Sequence, residues 1–330
     1  MTGTSKVEII DRAAALRLLP KRDQHAHKWG VGGLLIVGGA PGYIGAPALA
    51  AQGAGRSGAG IVNLAIPRSS VGPTATLVPE AVFLPLPETD STHGVKNAID
   101  LIAPVAEKCR ALVVGPGLSR DDAASALLAA LFGDTRRSVT HALGFGSSSR
   151  ANDAEGHAAL VGKNTPAVVD ADALHWLAER DSWWTQVEPF SLLLTPHVGE
   201  FAALTGTSNE EILADPATVV RAAANDWRQV LVLKAGKSWI SDGNVVRGLD
   251  CATPALATAG TGDVLAGSIG AFLAQGLLPL DAATLAIYAG SQAAVRLTAE
   301  LSSLGVVAGD LPRAIATILA DLETESDASR

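Results

Sequence analysis

Apolar residues along this chain fall into two alternating patterns. Short unbroken apolar runs stand at Leu34-Leu35-Ile36-Val37, Ile61-Val62-Asn63-Leu64-Ala65-Ile66, Ala111-Leu112-Val113-Val114, Ala167-Val168-Val169, Leu192-Leu193-Leu194 and Val230-Leu231-Val232-Leu233. Runs of this kind read as strands covered on both faces of a sheet. Between them lie alanine-rich stretches of helical length, at 46–56, 94–108, 121–132, 171–180 and 216–227. The alternation predicts an α/β fold: a mostly parallel central sheet with helices on both faces, three αβα layers. The last third changes character, and 262–274, 281–300 and 311–322 predict three helices with short connections. No linker rich in Pro or Ser divides the chain, so a single domain over 1–330 is expected. Residues 135–165 show neither period and carry Gly144-Phe145-Gly146-Ser147-Ser148-Ser149. They predict an insertion without catalytic groups, either a mobile excursion at the sheet edge or an oligomer contact. The polar tail 323–330 is expected to fray.

Composition narrows the class. Of 330 residues, 48% are apolar and 18% charged, which suits a packed globular chain and not a disordered one. The most apolar stretch, 264–280, contains Gln275 and Pro279 and falls short of the roughly 20 apolar residues that span a bilayer. A formal charge of −8 argues against a nucleic-acid partner. Glu8, Asp11 and Arg17 interrupt the first twenty residues, which lack the apolar centre of a secretory leader. Two cysteines, Cys109 and Cys251, form neither a disulfide framework nor a metal cluster, and a cytoplasmic location is expected.

Three motif-like spellings carry no chemistry. Gly53-Ala54-Gly55-Arg56-Ser57-Gly58 has the spacing of a dinucleotide fingerprint, but it follows a helix and precedes a strand, the reverse of what that motif needs. Gly236-Lys237-Ser238 resembles the end of a P-loop, yet Leu231 stands where the opening glycine belongs. His25 and His27 lack a third ligand nearby and read as a solvated loop.

The strongest signal is Ala259-Gly260-Thr261-Gly262-Asp263-Val264-Leu265-Ala266-Gly267. Small residues leave several N–H groups uncovered where a helix begins, and a helix N-terminus attracts phosphate. An acid at that point repels the phosphate, which makes sense if Asp263 takes the proton of a hydroxyl that attacks it. The other reading is that Asp263 caps the helix and the glycines make a tight turn. Both stay open on pattern alone. Loops after other strands add Gly115-Pro116-Gly117, the acids Asp170 and Asp172, His197 with Glu200, and Lys234. Such loops gather at the carboxyl edge where open α/β sheets bind ligands.

Taken in order, His27-Lys28, Gly38-Gly39, Gly45-Ala46-Pro47, Ser57-Gly58-Ala59-Gly60, Val114-Gly115-Pro116-Gly117-Leu118, Asp170-Ala171-Asp172-Ala173-Leu174, Thr195-Pro196-His197-Val198-Gly199-Glu200-Phe201, Leu233-Lys234 and the 258–267 segment resemble the ADP-dependent NAD(P)H-hydrate dehydratases, a branch of the ribokinase-like superfamily. The match runs from about Lys28 to Asp310-Leu311, and no N-terminal epimerase domain is expected before it. Val198, Ala235, His175 and Trp29 depart from the family's usual Pro, Gly, Asn and Gly. The resemblance implies a ribokinase-like fold and a lyase that repairs hydrated NADH or NADPH, with ADP or ATP as co-substrate and Mg²⁺. The nucleotide's terminal phosphate converts the ring hydroxyl into a leaving group, and phosphate is then eliminated. Implied roles are general base for Asp263, with contact to the substrate as well; phosphate binding for Gly260, Thr261, Gly262 and Lys234; substrate contact for Gly45, Ala46, Pro47, Gly117 and His197; and a water-mediated hold on Mg²⁺ for Glu200. A homo-oligomer, a tetramer in the family, is implied too. Asp170 and Asp172 either serve the site or cap the next helix. The alternatives are a vitamin-precursor kinase of the same superfamily and a nucleotide-binding regulator without catalysis.

Overall fold

The computed structural model describes residues 7–134, 159–250 and 252–328. Its strands are β1 (Val7–Ile9), β2 (Gly33–Val37), β3 (Ile61–Pro67), β4 (Val82–Leu86), β5 (Ala111–Val114), β6 (Ala167–Val169), β7 (Leu192–Leu194), β8 (Val230–Ala235), β9 (Lys237–Ser241) and β10 (Val246–Gly248). They form one sheet in the order β1-β10-β9-β8-β7-β6-β5-β2-β3-β4. Only β9 runs against its neighbours, pairing antiparallel with β8 and β10. The six apolar runs all lie in the parallel body, where every residue of β2, β5, β6 and β7 is buried. Chain order reverses between β2 and β5, which places a crevice at their carboxyl ends.

Helices cover both faces. Gly45–Arg56, Thr261–Ala274, Pro279–Gly305 and Leu311–Ala328 bury one face against Leu34, Ile36, Val113, Val168 and Val232. Thr92–Ala106, Asp122–Phe132, Asp172–Ala178, Val198–Thr205 and Pro216–Trp227 cover the other, against Leu35, Val37, Val114, Val169 and Leu233. Alternate residues of each strand point to opposite faces, so an unbroken apolar run serves both cores.

Several expectations shift. The helix expected at 311–322 runs on to Ala328, so the residues read as a frayed tail are helical through 328. Thr324 Oγ1 bonds the Ala320 carbonyl and Arg12 Nε reaches Glu325 at 2.7 Å. His27 is not merely loop: its Nδ1 accepts the Gly30 N–H and caps the short helix Lys28–Val31. Of the expected insertion 135–165, residues 135–158 lie outside the described residues. Leu160 and Val161 donate their N–H groups to the Leu131 carbonyl. Among the described residues no helix is long and apolar enough to cross a membrane.

Candidate active site

Two glycine loops meet at the crevice. Gly39 N donates to the Pro116 carbonyl at 2.8 Å, and a Cβ at Gly38 would stand 2.4 Å from that oxygen. Gly117, at φ +64°, lies against Tyr43 and Ala46. Ala46 belongs to the first turn of Gly45–Arg56, where the buried Pro47 packs toward Gly39. Gly45, Ala46, Pro47 and Gly117 therefore come together, with Pro47 on the inner side of the group. One turn on, Leu49 approaches Gly260, which links this group to the loop before Thr261–Ala274.

That loop ends in Gly260 at φ +90°, the N-cap position of the helix, with no side-chain cap. Asp263 stands in the first turn and its carboxyl makes no hydrogen bond to the described residues, so the capping reading is not what the structure presents. Burial pushes its carboxyl up to about 7; Asp170 and Asp172 push the same way and Lys234 opposes them. A carboxyl poised there can take up a proton near neutral pH.

Beneath the loop, three consecutive strands end in polar residues. Asp170 follows β6, Thr195 follows β7 and Lys234 lies near the end of β8. Asp170 is 2% exposed, and its Oδ1 accepts the Thr195 hydroxyl at 2.7 Å and the Lys234 ammonium at 3.1 Å. Burial works against the charge of Lys234, but Asp170, Glu200 and Asp263 outweigh it and hold the pKa above the ordinary lysine value. A Cβ at Gly262 would stand 3.3 Å from Lys234 Nζ, so the glycine lets the ammonium lie close under the helix N-terminus. Asp172 accepts from Ser119 N at 2.9 Å and Arg120 Nε at 3.3 Å, which ties down the loop after β5. Neither acid is the cap of the helix Asp172–Ala178, since its N-cap is Ala171, with no side-chain capping bond, and Asp172 is its first residue.

His197 and Glu200 form a reciprocal cap on Val198–Thr205. His197 Nδ1 accepts from Gly199 N and Glu200 N, and Glu200 Oε2 accepts from His197 N at 2.8 Å. An accepting Nδ1 leaves the proton on Nε2, and that nitrogen lies 3.5 Å from Glu200 Oε1. Burial, then Lys234 and His175, lowers the His197 pKa and favours the neutral ring. Glu200 is pushed up to about 7 by burial, against Lys234. His175, singled out only as a departure from the family pattern, has Nε2 4.0 Å from Glu200 Oε1 and belongs to this cluster.

A cavity of about 400 Å³ opens beside Lys234, Thr261 and Gly262. Its walls are largely apolar, with Leu249, Leu256, Leu265 and Ile287 among them, and Lys237 and Ser238 stand at the β8–β9 turn. Leu249, Leu256 and Ile287 were not singled out in the sequence, because an apolar pocket wall reads like core. Among the described residues no three His, Cys, Asp or Glu side chains are grouped to hold a metal. An oxygen-liganded ion that keeps most of its waters fits this donor set better than one held in a protein cage.

A family model described as NAD(P)H-hydrate dehydratase matches residues 34–139 and 134–317. The chain is 38% identical over 312 residues to the bifunctional NAD(P)H-hydrate repair enzyme Nnr of Salinibacter ruber, covering 94% of this chain and 52% of that protein. It thus spans about half the length of several curated relatives it matches. It is 32% identical to the ADP-dependent (S)-NAD(P)H-hydrate dehydratase of Xanthomonas campestris, covering 93% of this chain and 94% of the relative. The ADP/ATP-dependent NAD(P)H-hydrate dehydratase of Bacillus subtilis, crystallised with ATP and Mg²⁺, superposes with a TM-score of 0.72 at 25% identity, covering 97% of this chain and 99% of that one.

Proposed function

This chain belongs to the NAD(P)H-hydrate dehydratase family, and on that premise we propose that it repairs hydrated NADH or NADPH at the expense of ADP or ATP. The observation that carries the reading is Asp263, a partly buried carboxyl pushed up to about 7, in the first turn of a helix and beside Lys234. An anion-binding site alone gains nothing from an acid there; a phosphoryl transfer to a hydroxyl needs one.

In this reading the hydrated nicotinamide lies against Ala46, Gly117 and His197, and the nucleotide base occupies the apolar cavity. Asp263 accepts the ring hydroxyl's proton as that oxygen bonds to the terminal phosphorus and the bond to the nucleotide breaks. The N–H groups at Gly260 and Gly262, with the Lys234 ammonium, face the charge spread over the transferring phosphate, whereas the Thr261 N–H, expected to join them, donates to the Thr258 carbonyl at 3.3 Å. Loss of phosphate, together with a proton from the neighbouring carbon, then restores the ring double bond. Mg²⁺ offsets nucleotide charge when bound, and Glu200 would hold it through water, its Oε1 being free of the capping bond.

The test is direct. Hydrated NADH, Mg²⁺ and either nucleotide are mixed with the protein, and absorbance of reduced nicotinamide is followed. Recovery with ADP or ATP and none without is expected. Hydrate that persists, while a thiazole or pyrimidine alcohol becomes phosphorylated, would install the kinase alternative.

A further inference from the structure

Lys234 has three carboxyl groups to choose from: Asp170, Glu200 and Asp263 all act on its charge. Only one, Asp170, binds it directly. Asp170 is itself fixed on every side. Its N–H donates to Val114 O at 3.1 Å, and its carbonyl lies so close to Gly115 that a Cβ there would stand 1.8 Å away. Its Oδ1 holds the fully buried Thr195 hydroxyl. Its Oδ2 points toward Gly262, 3.9 Å from where a Cβ would be. A buried ion pair is a poor stability device, since removing two charges from water costs about as much as their attraction returns. This one lies under the phosphate loop, and its lysine keeps 24% of its side chain exposed.

We propose that Asp170 is the positioning residue for Lys234: it anchors the ammonium beside Gly262, so that the charge faces an incoming nucleotide phosphate instead of pairing with Asp263. Without that anchor the nearest remaining acids are Asp263 and Glu200. An ammonium drawn onto Asp263 blocks the oxygen that must accept the hydroxyl proton and withdraws a donor from the phosphate. Thr195 completes the device, because its hydroxyl fills a lone pair of the shared oxygen and fixes the carboxylate plane. The same logic explains the glycine at 262, since a side chain there would press on Nζ. This assignment rests on the nucleotide-dependent reading above and deepens it.

Two simple ideas predict opposite signs for Asp170→Asn. If Asp170 were only a negative charge near the phosphate site, its removal would tighten ADP binding. If it positions Lys234, its removal weakens binding, by about tenfold, the scale of one charge-assisted hydrogen bond. The measurement is calorimetric titration with Mg-ADP of four proteins: wild type, Asp170→Asn, Lys234→Met and the double variant. Asp170→Asn is expected to weaken ADP binding in the wild-type background. In the Lys234→Met background, where no ammonium remains to be held, the same change should leave affinity unaltered or improve it. Weakening in both backgrounds assigns Asp170 a role that does not pass through Lys234 and overturns the proposal, as does tightening in the wild-type background. Should Asp170→Asn alone fail to fold, the double variant replaces both buried charges by neutral groups, and its comparison with Lys234→Met still decides. Wild-type protein that binds neither Mg-ADP nor Mg-ATP overturns the functional reading and this assignment together. Binding without turnover of hydrate overturns only the choice of substrate.

Discussion

Asp263 occupies an unfavourable place for a carboxylate, and that gives its substitution a clear sign. Its folded pKa of about 7 lies above the ordinary aspartate value, chiefly through burial. A raised acid contributes stability that is fully present below the unfolded pKa and is lost as pH rises through the folded one. The loss is therefore complete at pH 8, only partial at pH 5, and absent below the ordinary aspartate pKa. Asp263→Asn should melt no lower than wild type at pH 8, with the difference shrinking toward pH 5. Turnover should fall by about 10²–10⁴, the usual contribution of a general base. Wild-type kcat/KM should decline as pH drops through 7, as the base is protonated. Paired melting curves and rates decide the matter: a variant that keeps near-full activity removes Asp263 from the chemistry, and one that melts well below wild type at pH 8 makes it structural.

At the scale of elements, the site depends on how closely two helices meet. A Cβ at Gly267 would stand 1.9 Å from the Ala50 carbonyl, and one at Gly53 would stand 2.5 Å from that of Val264. Gly45–Arg56 and Thr261–Ala274 thus touch backbone to backbone, and their N-terminal ends carry the two halves of the site. The spurious fingerprint at Gly53 is a contact point of this packing. Gly267→Ala must force the helices apart, costing about 1–3 kcal/mol as overpacking does, and should lower both melting temperature and kcat. Gly55→Ala, where nothing lies within 4 Å, should be neutral or slightly stabilising. Equal melting temperatures for the two variants would contradict the close-packing account. Elements buried on both faces were legible because their apolar runs are continuous; Ala111–Val114, Ala167–Val169 and Leu192–Leu194 match their expected bounds. Edge elements were not. Pro85 interrupts β4, and β1 has only three residues. Val198–Thr205 was hidden because its cap is a histidine, a residue outside the usual capping set.

Over the whole molecule, the two ends of the site come from different parts of the chain. Ala46 and Gly117 meet at one end, while His197, after β7, pairs through its backbone with Lys234; all three come from segments before residue 200. The cavity beyond Lys234 is built from the β8–β9 turn, the segment around 252–257 and Pro279–Gly305. The first set was legible because glycine turns and a lone histidine after strands stand out from their surroundings. The second was not, since Leu256 and Ile287 have the same pattern as any core residue, and only the fold shows which apolar side chains line open space. That separation makes the two ends independently breakable. Gly290 lines the cavity, and a Cβ there meets nothing within 4 Å. Gly290→Phe should fill part of the roughly 400 Å³ without displacing backbone. Loss of most of the base's buried contacts should raise the KM for ADP about tenfold or more, since each 1.4 kcal/mol of binding is a factor of ten. The KM for hydrated NADH and the melting temperature should change little. Ala46→Leu, which crowds the space beside Gly117, should do the reverse, raising the KM for hydrate and sparing that for ADP. Steady-state kinetics with each substrate varied in turn separates the two. If Gly290→Phe leaves the KM for ADP untouched, the nucleotide lies elsewhere, and the apolar cavity is not its seat.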